Sequence, residues 1–310
     1  MLSDIILVAT GLVALFAGGE WLVRGAVALA SRMGMPTLLI SLTVVGFGTS
    51  MPELLVSLRA AMEGRADIAL GNVVGSNIAN ILLIIAVSAM VSPMVRWDGA
   101  VKRDAIVMVA AGLATLALVQ SDVIGATAGV ALLAVLAAYV GYAYWADRKA
   151  GQALQFHPFP EISRRKTVFC ILAGFIFLFA GAEALVNGAV GIARTFGISE
   201  AVIGLTIVAV GTSLPELATS VIAAVRRHSD IAIGNIVGSN IFNIFGILGI
   251  TAVVAPVSAS NNFREFDAPV MLVVSVMFAM LLSFGRSIGR IVGLLFLGAY
   301  GAYLVMLFAS

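Results

Sequence analysis

Long apolar runs, separated by short clusters of charge, glycine and proline, make up almost the whole chain. An α-helix needs about 20 apolar residues to cross the hydrocarbon core of a bilayer. Ten stretches meet that description, at 5–29, 37–61, 68–92, 105–120, 123–145, 167–193, 200–225, 231–256, 268–284 and 288–309. One connection is long, the polar stretch from Asp147 to Lys166, while the break at Ser121-Asp122 leaves room only for a tight hairpin. The pattern predicts an all-α polytopic membrane protein with ten transmembrane helices.

The pattern also repeats. Gly18–Pro93 aligns without a gap onto Gly181–Pro256 at a constant offset of 163 residues, with about half the pairs identical. Gly48-Thr49-Ser50-Met51-Pro52-Glu53-Leu54 returns as Gly211-Thr212-Ser213-Leu214-Pro215-Glu216-Leu217, and Gly75-Ser76-Asn77-Ile78-Ala79-Asn80 as Gly238-Ser239-Asn240-Ile241-Phe242-Asn243. Each half carries five spans. Five is odd, so the second half enters the membrane from the opposite side, as in transporters built from inverted repeats. The division expected is a first repeat at 1–146, a short cytoplasmic linker at 147–166 and a second, inverted repeat at 167–310.

Charge changes the picture in two ways. Only 11% of residues are charged and 61% are hydrophobic, whereas a soluble protein carries about a quarter charged. The distribution of lysine and arginine then sets orientation. With the N-terminus outside, inward turns hold thirteen basic residues, among them Arg32, Lys102, Arg103, Arg164, Arg165, Lys166, Arg226 and Arg227. Outward turns hold four, Arg59, Arg65, Arg194 and Arg264. Both termini are therefore expected on the periplasmic face of an inner membrane. The turn at Glu63-Gly64 becomes Arg226-Arg227 in the second half, gaining positive charge where it faces the cytoplasm. Met1-Leu2-Ser3-Asp4 lacks the basic start of a signal peptide. Cys170 stands alone, and His157 and His228 lie far apart in loops, which argues against a disulfide framework or a zinc site. No nucleophile–base pair is visible, so an enzyme is not expected, and nothing points to nucleic acid.

Four carboxylates fall well inside apolar spans: Glu20, Glu53, Glu183 and Glu216. A charge at membrane depth costs at least about 3 kcal/mol and by default marks function. Glu20 and Glu183 have an equally good structural explanation, such as an ion pair between Glu20 and Arg24. For Glu53 and Glu216 the setting decides otherwise. Each follows Gly-Thr-Ser, one apolar residue and proline in mid-span, a sequence that invites local unwinding. Broken backbone is tolerated in a bilayer only where it is buried in protein or lines a cavity, so carbonyls near Gly46, Thr49, Ala209 and Thr212 could join the glutamates on a cation. Calcium takes six to eight oxygens, and two carboxylates with Thr49, Ser50, Thr212 and Ser213 suit it. In the next span of each half, Ser76 and Asn80, and Ser239 and Asn243, share a helix face through their four-residue spacing. Alone they would read as packing contacts; beside the glutamates they become neutral oxygen ligands.

These two segments resemble the alpha-repeats of the cation/calcium antiporter superfamily, and among its branches the prokaryotic sodium/calcium exchangers. The resemblance implies Glu53 and Glu216 as central ligands, binding calcium and sodium alternately. It carries the remaining oxygens to Thr49, Ser50, Ser76, Asn80, Thr212, Ser213, Ser239 and Asn243. It also implies two long tilted helices, bearing Glu20 and Glu183, that slide on a glycine-smoothed surface at Gly18, Gly25, Gly181 and Gly188. Some relatives carry aspartate at one of the positions of Asn80 and Asn243. Asparagine at both argues against potassium cotransport, and Gly-Thr-Ser before each glutamate favours sodium over the proton/calcium alternative. The function implied is calcium–sodium antiport by alternating access, in a chain working as a monomer with no cofactor. Its partners would be the two transported ions and the lipid bilayer.

Overall fold

In a bilayer every backbone polar group has to be satisfied internally, which leaves helices as the economical solution; accordingly nearly all described residues are helical. The computed structural model describes residues 1–35, 37–95, 100–121, 123–149, 163–196, 209–284 and 287–309. Its helices are α1 (Leu2–Met33), α2 (Leu38–Thr49), α3 (Met51–Met62), α4 (Ala66–Val91), α5 (Ala100–Leu118), α6 (Ala126–Lys149), α7 (Arg164–Thr195), α8 (Leu214–Val225), α9 (Ser229–Val254), α10 (Phe263–Phe284) and α11 (Arg290–Ala309). The offset of the sequence repeat returns in these boundaries: α3 and α8, and α4 and α9, begin and end 163 residues apart.

Among the described residues seven helices are long and apolar enough to cross a membrane, eight if α2 and α3, bent by 45° at Ser50, form one span. The ten expected from the sequence differ at two places. Helix α5 opens on Lys102, Arg103 and Asp104, which dilute its apolar character. The span around Glu216 is described from residue 209, and Ser213 interrupts it, so α8 begins at Leu214 as a 12-residue helix.

Helices α4 and α9 form the centre. In their most apolar stretches 78% and 89% of residues are buried, against 22% for α1 and for α7. Four two-residue strands are a minor exception to the all-helical pattern: β1 (Met94–Val95), β2 (Val123–Ile124), β3 (Val257–Ser258) and β4 (Ser287–Ile288). They pair antiparallel and crosswise, β1 with β4 and β2 with β3, each ladder joining the two halves of the chain.

The two 32-residue helices α1 and α7 lie along each other at the edge of this centre, with their own apolar cluster around Leu15, Leu22, Ala26, Leu178 and Ala182. Their backbones touch. A β-carbon at Gly18 would stand 2.7 Å from the Leu178 nitrogen, and one at Gly181 would stand 2.8 Å from the Leu15 nitrogen. Such close approach is how small residues join helices where lipid removes the hydrophobic drive. The glycine surface therefore lies between the two long helices.

Glu20 is paired as the bland reading held: Arg24 Nε lies 2.7 Å away and Arg226 Nη2, from the α8–α9 turn, also 2.7 Å. Glu183 is exposed on α7. Replacing Gly181 by leucine should push α1 and α7 apart and destabilise the purified protein by about 3 kcal/mol, the upper range for overpacking. Gly298→Leu, where a side chain meets open space, should leave the melting temperature unchanged; equal effects would refute the backbone contact.

Candidate cation site

Each candidate glutamate owes its position to a helix start. Helix α2 ends at Thr49, Ser50 sits outside helical geometry at φ −82° and ψ 8°, and α3 restarts at Met51 with Pro52 in its first turn. Ser213, at φ −88° and ψ 6°, and Pro215 do the same for α8. Proline is at ease there, since a first-turn residue has no intrahelical partner for its nitrogen. In the first half the chain is thus bent by a helix restart, not unwound as the sequence suggested; in the second half the residues before 209 lie outside the described ones. The Gly46 carbonyl, expected to be free, accepts from Thr49 Oγ1 at 3.4 Å and Ser239 Oγ at 3.3 Å. A π-helical turn at Ser41–Val45 precedes the bend, and two more begin at Asn80 and Asn243. Such turns often mark functional positions.

The restarts bring Glu53 and Glu216 into the first turns of α3 and α8, where the helix dipole favours negative charge. They are 2% and 1% exposed. Their surroundings are exchanged between the halves: Ser50 Oγ donates to Glu216 Oε1 at 3.1 Å, and Ser213 Oγ donates to Glu53 Oε1 at 3.2 Å. Thr49 donates to Asn235 Oδ1 at 3.2 Å, and Thr212, half-buried, lies next to Ser213. Ser76 is buried on α4, one turn before Asn80.

Sequence reasoning passed over the residues that hold this frame. Asn72 Nδ2 donates to the Glu53 carbonyl at 2.9 Å and to Ser57 Oγ at 2.8 Å. Its counterpart Asn235 reaches the Glu216 carbonyl at 3.4 Å and Ser220 Oγ at 3.0 Å. The signal was present, since both asparagines fall in the repeated Gly-Asn pairs at 71–72 and 234–235. Acids just outside the apolar spans are buried too. Asp104 and Asp267 are 1% and 3% exposed, and each has a structural partner, Arg103 at 2.7 Å and the Tyr303 hydroxyl at 3.0 Å.

Several buried side-chain polar atoms lack a hydrogen-bond partner among the described residues, and four of them belong to the candidate ligands. Glu53 Oε2, Glu216 Oε2, Asn80 Oδ1 and Asn243 Oδ1 are buried acceptors with no hydrogen-bond partner among the described residues. Native structures rarely leave such groups unsatisfied. All four are hard oxygens, none is a donor, and they fall into two pairs related by the repeat. Among the described residues no three His, Cys, Asp or Glu side chains cluster; a cation held at these atoms would meet two carboxylates and otherwise neutral oxygens, a set of the kind calcium takes.

Comparison with known proteins points the same way. The sodium/calcium exchanger protein family matches residues 3–145 and 166–309. The inner membrane protein YrbG of Escherichia coli is 35% identical, covering 99% of this chain and 98% of its own. The sodium/calcium exchanger MaX1 of Methanosarcina acetivorans is 31% identical, covering 98% of both. A structure of the sodium-calcium exchanger NCX_Mj, soaked with zero sodium and calcium, superposes with a TM-score of 0.86 at 30% identity over 99% of both chains. With its full length matched in sequence and in fold, the chain belongs to the sodium/calcium exchanger family.

Proposed function

We propose that this protein is a secondary antiporter that exchanges calcium for sodium by alternating access, with Glu53 and Glu216 as the central ligands. The observation that carries the reading is the pair of buried carboxylates, each held by a serine from the other half and each with one oxygen unpaired. Two carboxylates carry a charge that one calcium ion neutralises. Sodium, with half the charge, has to fill several oxygen sites at once to replace it. Thr49, Ser50, Ser76 and Asn80, with Thr212, Ser213, Ser239 and Asn243, supply neutral oxygens that favour this without trapping calcium. The relatives fit: MaX1 and NCX_Mj are sodium/calcium exchangers by name.

The same reading takes the chain as two inverted five-helix repeats, 1–146 and 167–310, joined by a cytoplasmic linker at 147–166, with ten spans in all. The recurrence of α3 and α4 as α8 and α9 supports it, as does the crosswise pairing of the strands. Both termini then face the periplasm, and the likeness to an inner membrane protein supports that membrane. A monomer suffices, because both halves of the site belong to one chain.

Calcium efflux from proteoliposomes should rise steeply and cooperatively with external sodium. Flux driven by a pH gradient in sodium-free buffer, and indifferent to added sodium, would instead establish the proton-coupled alternative. Glu53→Gln and Glu216→Gln should each weaken calcium binding by roughly 100-fold, the loss expected when one partner of a buried charge pair is removed, with expression near that of the parent. Uptake above half of the parent level in either variant would refute the site. For orientation, cysteines placed at Ser3 and Ser310 in a Cys170→Ala background should react with an impermeant thiol reagent from the periplasm, and one at Gln152 should not. The reverse pattern would invert the topology.

A further inference from the structure

Asn80 and Asn243 each bury a carboxamide, whose two ends have opposite chemistry. The oxygen accepts and can coordinate a cation; the NH₂ group donates and repels one. Which end is left unpaired is decided by neither residue itself, and the hydrogen bonds around them show what decides it.

Asn240 lies on α9, one turn before Asn243, and is 1% exposed. Its Nδ2 donates to the backbone carbonyl of Asn77 at 3.4 Å and to Met108 Sδ at 3.7 Å. A carbonyl can only accept, so the Asn240 amide has one possible orientation, with its own oxygen turned the other way. That oxygen accepts from Asn80 Nδ2 at 2.9 Å. One N–H of Asn80 is thereby engaged, which turns its NH₂ end toward Asn240, and Oδ1 is the end left without a partner. The other half repeats the arrangement in part, with the thioether contact and without the carbonyl one. Asn77, also 1% exposed, spends its Nδ2 on Met271 Sδ at 3.6 Å and accepts at Oδ1 from Asn243 Nδ2 at 3.2 Å, leaving Asn243 Oδ1 unpaired. Met108 and Met271 are themselves 163 residues apart.

We propose that Asn77 and Asn240 are positioning residues that fix the polarity of the two site amides, so that Asn80 and Asn243 present oxygen and never NH₂ to the transported ion. Each acts across the repeat on the other half's ligand, Asn240 on Asn80 and Asn77 on Asn243. The proposal rests on the reading of Asn80 and Asn243 as ligands. It separates Asn77 and Asn240 from ordinary helix-joining asparagines, because a bond that only held α4 to α9 would be indifferent to which way the neighbouring amide points.

The test is a double-mutant cycle read by calcium-dependent thermal stabilisation of the purified protein, where the calcium midpoint reports affinity and the calcium-free melting temperature reports structure. Asn240→Leu should raise the calcium midpoint roughly tenfold, the lower range for loss of a ligand-orienting partner, and Asn80→Ala should raise it by a similar factor. The double variant should show no further rise beyond Asn80→Ala, since Asn240 then has no amide to orient. Tyr303→Phe, which removes the bond to Asp267, should lower the calcium-free melting temperature and leave the midpoint where it was. Asn77→Leu in an Asn243→Ala background gives the mirror cycle and serves if Asn240→Leu does not fold. A midpoint that does not move in Asn80→Ala alone sinks the ligand reading and this proposal with it. A raised midpoint in Asn80→Ala that rises again, multiplicatively, on adding Asn240→Leu leaves the ligand intact and sinks only the positioning role.

Discussion

Two carboxylates lie almost without solvent access in the middle of an apolar bundle, and the rest of the structure answers to their cost. An isolated ionised group in such a place costs several kcal/mol, a large share of a protein's whole stability, so the chain surrounds each glutamate with partial compensation. Helix starts direct their dipoles at the carboxylates, a serine from the opposite half bonds one oxygen, and asparagines pin the glutamates' own carbonyls. Compensation stops one oxygen short on each side. A fully satisfied pair would have no use for an ion, and a wholly bare pair would not fold.

Much of this was legible because the chain states it twice. An offset of 163 residues with identical Gly-Thr-Ser, Pro-Glu and Gly-Ser-Asn runs singles out Glu53 and Glu216, and their serines, without any structure. What stayed hidden depends on contacts between helices. The four-residue spacing picked Ser76 and Asn80 as one face, yet Asn77 and Asn240 act on the opposite half, and no periodicity within one helix reports that. Pro52 read as a breaker because sequence alone could not tell mid-helix from first turn. Asp104 and Asp267 escaped notice because they sit at polar helix starts that the fold then buries, and Lys102 and Arg103 beside Asp104 also blurred the span count.

The halves are not equal where they meet the long helices. Glu20 on α1 pairs with Arg226 in the α8–α9 turn, while the repeat places Glu63 where Arg226 stands and Glu183 where Glu20 stands. Glu63 is taken up locally, by Arg59 at 2.8 Å. An attraction on one side of the assembly therefore has no counterpart on the other, although the backbone contacts of α1 and α7 through Gly18 and Gly181 are matched. Packing is shared between the halves; charge is not.

The crosswise strands bear on how such a chain is made. Met94, not a third of the way along, takes its partner at Ile288, and Val123 takes its partner at Ser258. Neither ladder can close until most of the chain has left the ribosome, and the serine that shields Glu53 is likewise synthesised 160 residues later. Contacts of such long range are slow to form. During that interval the nascent first half holds a glutamate in the membrane with its cross-half compensation still unmade, so the site is completed only when the second half arrives.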